Sequence, residues 1–309
     1  MKELRLGIIG LSEGNGHPYS WSAIFNGYDP EAMRHCPFPA IPAYLSRQSF
    51  PQDKIAGAKV THVWTQKRTL SREIAHASRI DTVVDDYREM IGEVDAVLLA
   101  RDDAESHQRI SAPFLEAGLP VYVDKPLALS VREAQQILSL QQYDGQIFTC
   151  SAFHYAREFQ LDERSRRLLG QVRHIYGAIG RSWEKYGVHV VEPALRLLGA
   201  QGAIARTARW REGEITTVSV AWETGAQATF STLGTANGVP FLRIAGTRSA
   251  KDLFFGDTFA AFKAALGSFV QGVVERRPMI AQGFVLDVVR VIEAGCHRAP
   301  LALAGGEAG

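Results

Sequence analysis

The sequence predicts an α/β protein, an N-terminal doubly wound parallel sheet over residues 1–150 followed by an α+β domain over residues 151–309 with an open, mostly antiparallel sheet. Three observations lead there. Up to about residue 150, short apolar runs alternate with helical patterns, as in a parallel sheet covered on both faces. The first run feeds a glycine-bearing stretch, GIIGLSEGNGHPYSW, over residues 7–21. Beyond residue 150, strand patterns follow one another without helices between them, which suits an antiparallel sheet.

The elements follow in order. Strands are expected at 6–9, 60–64, 82–84, 94–100, 120–124 and 146–153, with helices at 71–78, 86–91, 105–117 and 130–142. Ser130 and Glu133 have the spacing of a capping box. The second domain should open with a helix at 157–169. Strands at 172–179, 205–210, 216–222, 226–233 and 241–245 come next, with a short helix at 191–198 among them. Helices at 258–275 and 283–296 close it. Residues 26–57 fit poorly, because a first strand–helix–strand unit usually needs about 30 residues. Five of the 13 prolines fall between Pro30 and Pro51. The segment reads as an insertion, either a lid near the first turn or a packed surface loop or oligomer contact.

Bulk properties exclude several classes. Of 309 residues, 46% are apolar and 22% charged, ordinary globular values. A net charge of +1 points to neither nucleic acid nor an acidic membrane surface. No apolar run approaches the roughly 20 residues of a membrane span. Cys36, Cys150 and Cys296 form no disulfide framework. No signal-peptide pattern opens the chain, so a cytoplasmic protein is expected. No metal site is expected, since no Cys/His pairs stand at zinc-like spacing.

Chemistry can sit in two stretches. Asp124, Lys125 and Pro126 end a predicted parallel strand, where open α/β sheets bind ligands. A lysine there offers a proton donor to a developing oxyanion, and Asp124 is placed to hold its ammonium. A surface lysine at a strand-to-helix turn is the plain alternative. Lys185 and His189 are spaced i, i+4 and share a face if helical, with Glu192 three further on. Two cations so placed disfavour each other's charging; a solvated helix face is again the plain alternative.

GIIG near the start, DKP near residue 125 and GVHVVEPALRLLG in a strand-rich second half stand in one order at suitable spacing. Together they resemble the Gfo/Idh/MocA family of NAD(P)-dependent oxidoreductases. The resemblance implies a Rossmann domain, a substrate-binding second domain, and a homo-oligomer, dimer or tetramer. It implies hydride transfer between nicotinamide and a carbinol carbon of a sugar, amino sugar, cyclitol or related polyhydroxylated substrate. Lys125 and His189 would be catalytic, with Lys185 altering or replacing His189. Tyr155, Arg157, Trp183 and Glu192 are candidate substrate contacts. Gly10, Ser12, Gly14, Asn15, Gly16, His17, Ala100, Arg101, His107, Asp124, Lys125 and Pro126 are candidate cofactor contacts.

The departures from the family pattern are informative. The aspartate four residues before the histidine is Lys185 here, so either Lys185 moves a proton or the substrate is anionic. No carboxylate ends the second strand. Thr65, Lys67 and Arg68 stand there instead and favour NADP over NAD through a 2′-phosphate. The segment resembling TPNxxH in the family reads ARDDAESHQ. The glycine turn departs from G-x-G-x-x-G, with Ser12 and Asn15 in two glycine positions. Pro18 suits a first helical turn, so the turn reads as a lengthened pyrophosphate loop. Two other readings stand beside the oxidoreductase: a redox-neutral lyase, epimerase or glycosidase-type enzyme with tightly held NAD, and a non-catalytic dinucleotide sensor.

Overall fold

The computed structural model describes residues 3–236 and 238–296. The first sheet contains β1 (Leu4–Ile9), β2 (Ala58–Trp64), β3 (Thr82–Val83), β4 (Ala96–Leu99), β5 (Val121–Val123) and β6 (Ile147–Phe148). Its order is β3-β2-β1-β4-β5-β6 and every pairing is parallel. This is the doubly wound sheet expected, and all four residues of β4 are buried because helices cover both faces. The order reverses between β1 and β4, opening a crevice beyond their C-terminal ends.

Among the described residues, this half holds the helices α1 (His17–Asn26), α2 (Pro30–Met33), α3 (Ala40–Leu45), α4 (Arg68–Ala77), α5 (His107–Glu116) and α6 (Val131–Leu138). Ser130 caps α6 by accepting from the Glu133 N–H at 3.2 Å, one half of the expected capping box. The reciprocal box forms at Asp86 and Glu89, which close a short 3₁₀ turn at 87–90. Residues 26–57 hold α2 and α3 rather than a structureless loop. Phe50 meets Phe259 edge-on, and Asp53 pairs with Lys263 at 3.6 Å, so the insertion is fastened to the second half of the chain.

The second sheet contains β7 (Val172–Ile179), β8 (Ile204–Glu212), β9 (Ile215–Trp222), β10 (Gln227–Leu233), β11 (Phe241–Gly246) and β12 (Ala250–Phe254), ordered β12-β11-β7-β10-β9-β8. Among the described residues of this sheet, only β7 and β10 run parallel. Edge strand β12 escapes the sequence pattern because only Leu253 of its five residues is buried. The helices are α7 (Glu163–Leu169), α8 (Trp183–Tyr186), α9 (Val188–Leu198), α10 (Thr258–Glu275) and α11 (Gln282–Cys296). The helix expected at 157–169 is a 3₁₀ turn at 157–159 and then α7, because Asp162 accepts from the Ser165 N–H and starts a new helix. Residues 297–309 of the expected second domain lie outside the described residues.

Candidate active site in the cleft between the sheets

The glycine-bearing turn leaves β1 and enters α1 at His17, as Pro18 in the first turn suggests. Gly14 takes φ +78°, a left-handed conformation that favours glycine. Gly16 serves close approach instead, since an added Cβ would lie 2.6 Å from the Phe38 ring of the insertion. Asn15 accepts the His17 N–H at 2.8 Å and donates to Asp124 at 2.8 Å. His17 Nδ1 lies 2.6 Å from the same Asp124 oxygen. Its ring stacks on Trp21 (4.7 Å between centroids), which stacks on Tyr122 of β5. Burial alone would raise the Asp124 carboxyl, but His17, Lys125 and Asn15 outweigh it and hold the group well below the usual carboxylate range.

Asp124 therefore serves His17 and the Lys125 backbone N–H, not the Lys125 ammonium as expected. The ammonium faces Asp102 at 3.6 Å and stands 5.4 Å from the Tyr186 ring centroid. The Lys125–Pro126 bond is cis. Asp102 comes from the ARDDAESHQ segment, and its role gives the Arg–Asp–Asp run a physical meaning. Arg101 grips Asp103 with two hydrogen bonds of 2.9 and 2.6 Å and reaches the Leu11 carbonyl. That fixes the loop so that buried Asp102 points inward. It accepts from Ser12 Oγ at 2.6 Å and from Lys185 Nζ at 3.1 Å. Lys185 also donates to the Glu13 carbonyl at 3.0 Å, tying α8 to the glycine turn. Asp102 thus supplies the carboxylate that faces both Lys125 and Lys185, while His189 takes its partner from elsewhere.

His189, near the start of α9, is 8% exposed and faces the same cleft as Lys125 and His17. Burial, then the charges of Lys125 and His17, push its pKa well below the usual histidine value. Lys185 is not among these causes. Its Nδ1 lies 2.7 Å from Ser151 Oγ. Glu192 is set behind it, accepting from the Ser151 N–H at 2.6 Å and standing 2.9 Å from His154.

Several expected contacts lie elsewhere. Trp183 is 1% exposed and donates its indole N–H to the Ile292 carbonyl, a core role. Tyr155 bonds Ser268, Glu192 backs the Ser151 segment, and Arg157 is exposed; none of the three borders the cleft. His107 is fully buried with a ring nitrogen on each of the Leu127 and Arg101 carbonyls. Ala100 is buried and its N–H pairs with Ile9, while the Gly10 N–H pairs with Trp64. The trio expected to receive a 2′-phosphate is not gathered. The buried Thr65 hydroxyl serves Lys67 O and Ser71, Arg68 pairs with Asp85, and Lys67 is exposed. Gln66, unremarked in the sequence, brackets Leu11 with bonds of 2.9 and 2.7 Å.

A dinucleotide, which this fold implies, fits the cleft. The lining that includes Gly14, Asp102, Lys125 and His189 encloses about 630 Å³ beyond the ends of β1, β4 and β5. Glu13 and Gly14 are exposed at the turn, and nothing lies within 4 Å of a Cβ added at Gly14. Backbone N–H groups there, rather than the α1 N-terminus, are the phosphate donors the turn offers, since Asn15 takes the His17 N–H and Pro18 has none.

A parallel sheet of this order, with a crevice where the order reverses, has the architecture of dinucleotide-binding domains. Residues 40–151 match the model of the Gfo/Idh/MocA oxidoreductase family, whose domain is an NAD-binding Rossmann fold. No curated protein matches the sequence. Among solved structures, GenD2 from gentamicin A biosynthesis, in complex with NAD, is 17% identical with TM-score 0.71, covering 96% of this chain and 93% of its own. Myo-inositol 2-dehydrogenase from Lactobacillus plantarum is 14% identical with TM-score 0.69, covering 94% and 96%. Apo scyllo-inositol dehydrogenase from Lactobacillus casei is 13% identical with TM-score 0.69, covering 95% of each. At these identities the likeness is one of fold.

Proposed function

We propose that the protein is an NAD(H)-dependent oxidoreductase acting on a CH–OH group of a polyhydroxylated substrate such as a sugar or cyclitol. The observation that carries this reading is the convergence of Lys125 and His189 on one cleft at the ends of the parallel strands. Nicotinamide, when bound, supplies the hydride acceptor or donor. Lys125 offers an ammonium to the reacting oxygen, positioned by Asp102. His189, held neutral by burial and by the neighbouring Lys125 ammonium, supplies a second polar contact to that oxygen without a net charge. The Phe153 and Phe255 rings, stacked at 3.7 Å, give the cleft an apolar wall for a sugar face.

Asp102 opposes the charge of Lys185, which supports a neutral polyol over an anionic one. With Thr65 and Arg68 engaged elsewhere, NAD is favoured over NADP. A homo-oligomer formed through the second sheet accords with the exposed Trp210 and Phe254 on its strands. No described helix is long and apolar enough to cross a membrane.

The test is NAD⁺ and NADP⁺ binding by calorimetry, followed by a polyol panel including myo-inositol, read by NADH absorbance. NAD⁺ binding, NADH formation and loss of at least about 10²-fold in kcat for Lys125→Met are expected. Absence of binding by either dinucleotide would sink the reading. Product formation without net NADH would replace it with redox-neutral chemistry.

A further inference from the structure

The two histidines of the cleft present different groups to it, and their partners decide which. Ser151 Oγ accepts the Phe153 N–H at 3.1 Å. Its own hydroxyl hydrogen then goes to His189 Nδ1 at 2.7 Å, its one hydrogen-bond acceptor among the described residues. With Nδ1 accepting, a neutral His189 carries its hydrogen on Nε2. It is a donor toward the cleft and has no free lone pair to take a proton.

His17 is set the opposite way. Its Nδ1 faces Asp124, which is 1% exposed and also accepts from Asn15 and from the Lys125 N–H. An ionised carboxylate only accepts, so His17 Nδ1 must donate. In the neutral ring the Nε2 lone pair is then left over, and His17 Nε2 has no hydrogen-bond partner among the described residues while the ring borders the cleft. Lys125, an ammonium beside Asp102, offers hydrogens only. Among these three groups, His17 alone presents a lone pair.

We propose that His17, oriented by Asp124, is the general base of this site, and that His189 is a hydrogen-bond donor to the substrate oxygen. In the oxidative direction, His17 Nε2 takes the proton of the substrate hydroxyl and the O–H electron pair stays on oxygen. The resulting imidazolium is opposed by the Asp124 carboxylate. It returns the proton to water entering the cleft. In the reductive direction the same nitrogen delivers a proton to the new alkoxide. The proton-transfer role rests on the oxidoreductase reading above; the assignment of the two tautomers does not.

The experiment is a long-range ¹H–¹⁵N spectrum of the ¹⁵N-labelled protein at pH 8, with the rings assigned through His17→Gln and His189→Gln. Hydrogen on Nδ1 of His17 and on Nε2 of His189 is expected. Hydrogen on Nε2 of His17, or the same tautomer in both rings, overturns the proposal. The His17→Gln variant, at a side chain 16% exposed, is then assayed with NAD⁺ and the polyol identified by the panel. A fall in kcat of about 10²-fold or more is expected, with the KM for NAD⁺ changed by less than about threefold. A loss carried by that KM makes His17 a cofactor contact and overturns its role as base. If NAD⁺ does not bind at all, the oxidoreductase reading fails, and the spectrum alone decides the tautomers. Asp124→Asn provides the second variant: releasing the Nδ1 hydrogen should shift the His17 ring toward the other tautomer, and an unchanged ring overturns the orienting role of Asp124.

Discussion

Lys185 Nζ donates to Asp102 Oδ1 at 3.1 Å, joining residues 83 positions apart in the chain. The other Asp102 oxygen faces Lys125 at 3.6 Å, so one buried carboxylate stands between two ammonium groups. The lysine at position 185 and the aspartate at position 102 are two halves of one arrangement. Each is odd against the family pattern when taken alone.

Removing the carboxylate is therefore predicted to cost more than removing the lysine. Asp102→Asn leaves Lys125, almost wholly buried, without its counter-charge. A loss of about 3 kcal/mol is expected in urea unfolding. Lys185 keeps about a third of its side chain exposed, so Lys185→Met should cost under about 1 kcal/mol. The Asp102→Asn, Lys185→Met double variant should be more stable than Asp102→Asn alone. Equal losses for the two single variants would show that Asp102 serves Lys185 rather than Lys125.

Trp183 is predicted to matter for stability and not for ligand. Its indole N–H meets the Ile292 carbonyl at 2.8 Å, and its ring packs against Gly295. Trp183→Phe should lose about 1–3 kcal/mol through the unpaired carbonyl and the smaller ring. NAD⁺ affinity, measured calorimetrically well below the unfolding temperature, should stay within about twofold. A selective rise in the substrate KM would restore its expected role as a substrate contact.

Acid is predicted to destabilise the fold through His189. Its folded pKa lies well below the ordinary value of 6.5, with burial the first cause. Below about pH 6.5 the unfolded chain binds a proton that the folded chain refuses, so stability falls as pH falls toward the folded pKa. The slope from this group approaches about 1.4 kcal/mol per pH unit. It vanishes above the unfolded value, where both states are neutral. Urea midpoints between pH 8 and pH 5 should drop less steeply in His189→Gln; an unchanged slope would place the proton uptake elsewhere.

The fold was legible because buried parallel strands leave near-continuous apolar runs, as in the four residues of β4. Edge strand β12 was not, since an exposed edge imposes little apolar pattern. Lys125 and His189 were legible through short motifs on single elements. Asp102 was not, because its meaning depends on Lys125 and Lys185, which reach it from distant parts of the chain. Thr65 and Trp183 misled for a related reason: residue type and position mark them as ligand contacts, but internal hydrogen bonds consume their polar groups. The role of Asp124 was half visible. Its burial at a strand end could be read from the sequence, but its preference for His17 over the neighbouring ammonium needed the turn's path.

The His17 ring is one member of a stack that continues through Trp21 to Tyr122 on β5, with Phe262 edge-on at its side. Turning the imidazole out of plane would mean moving an indole that is itself wedged against the sheet. Its orientation is thus settled when the chain folds, before any substrate arrives. A proton acceptor prepared in this way need not be ordered anew in each turnover, so the entropy of aiming it is spent once, in folding, rather than at every catalytic event.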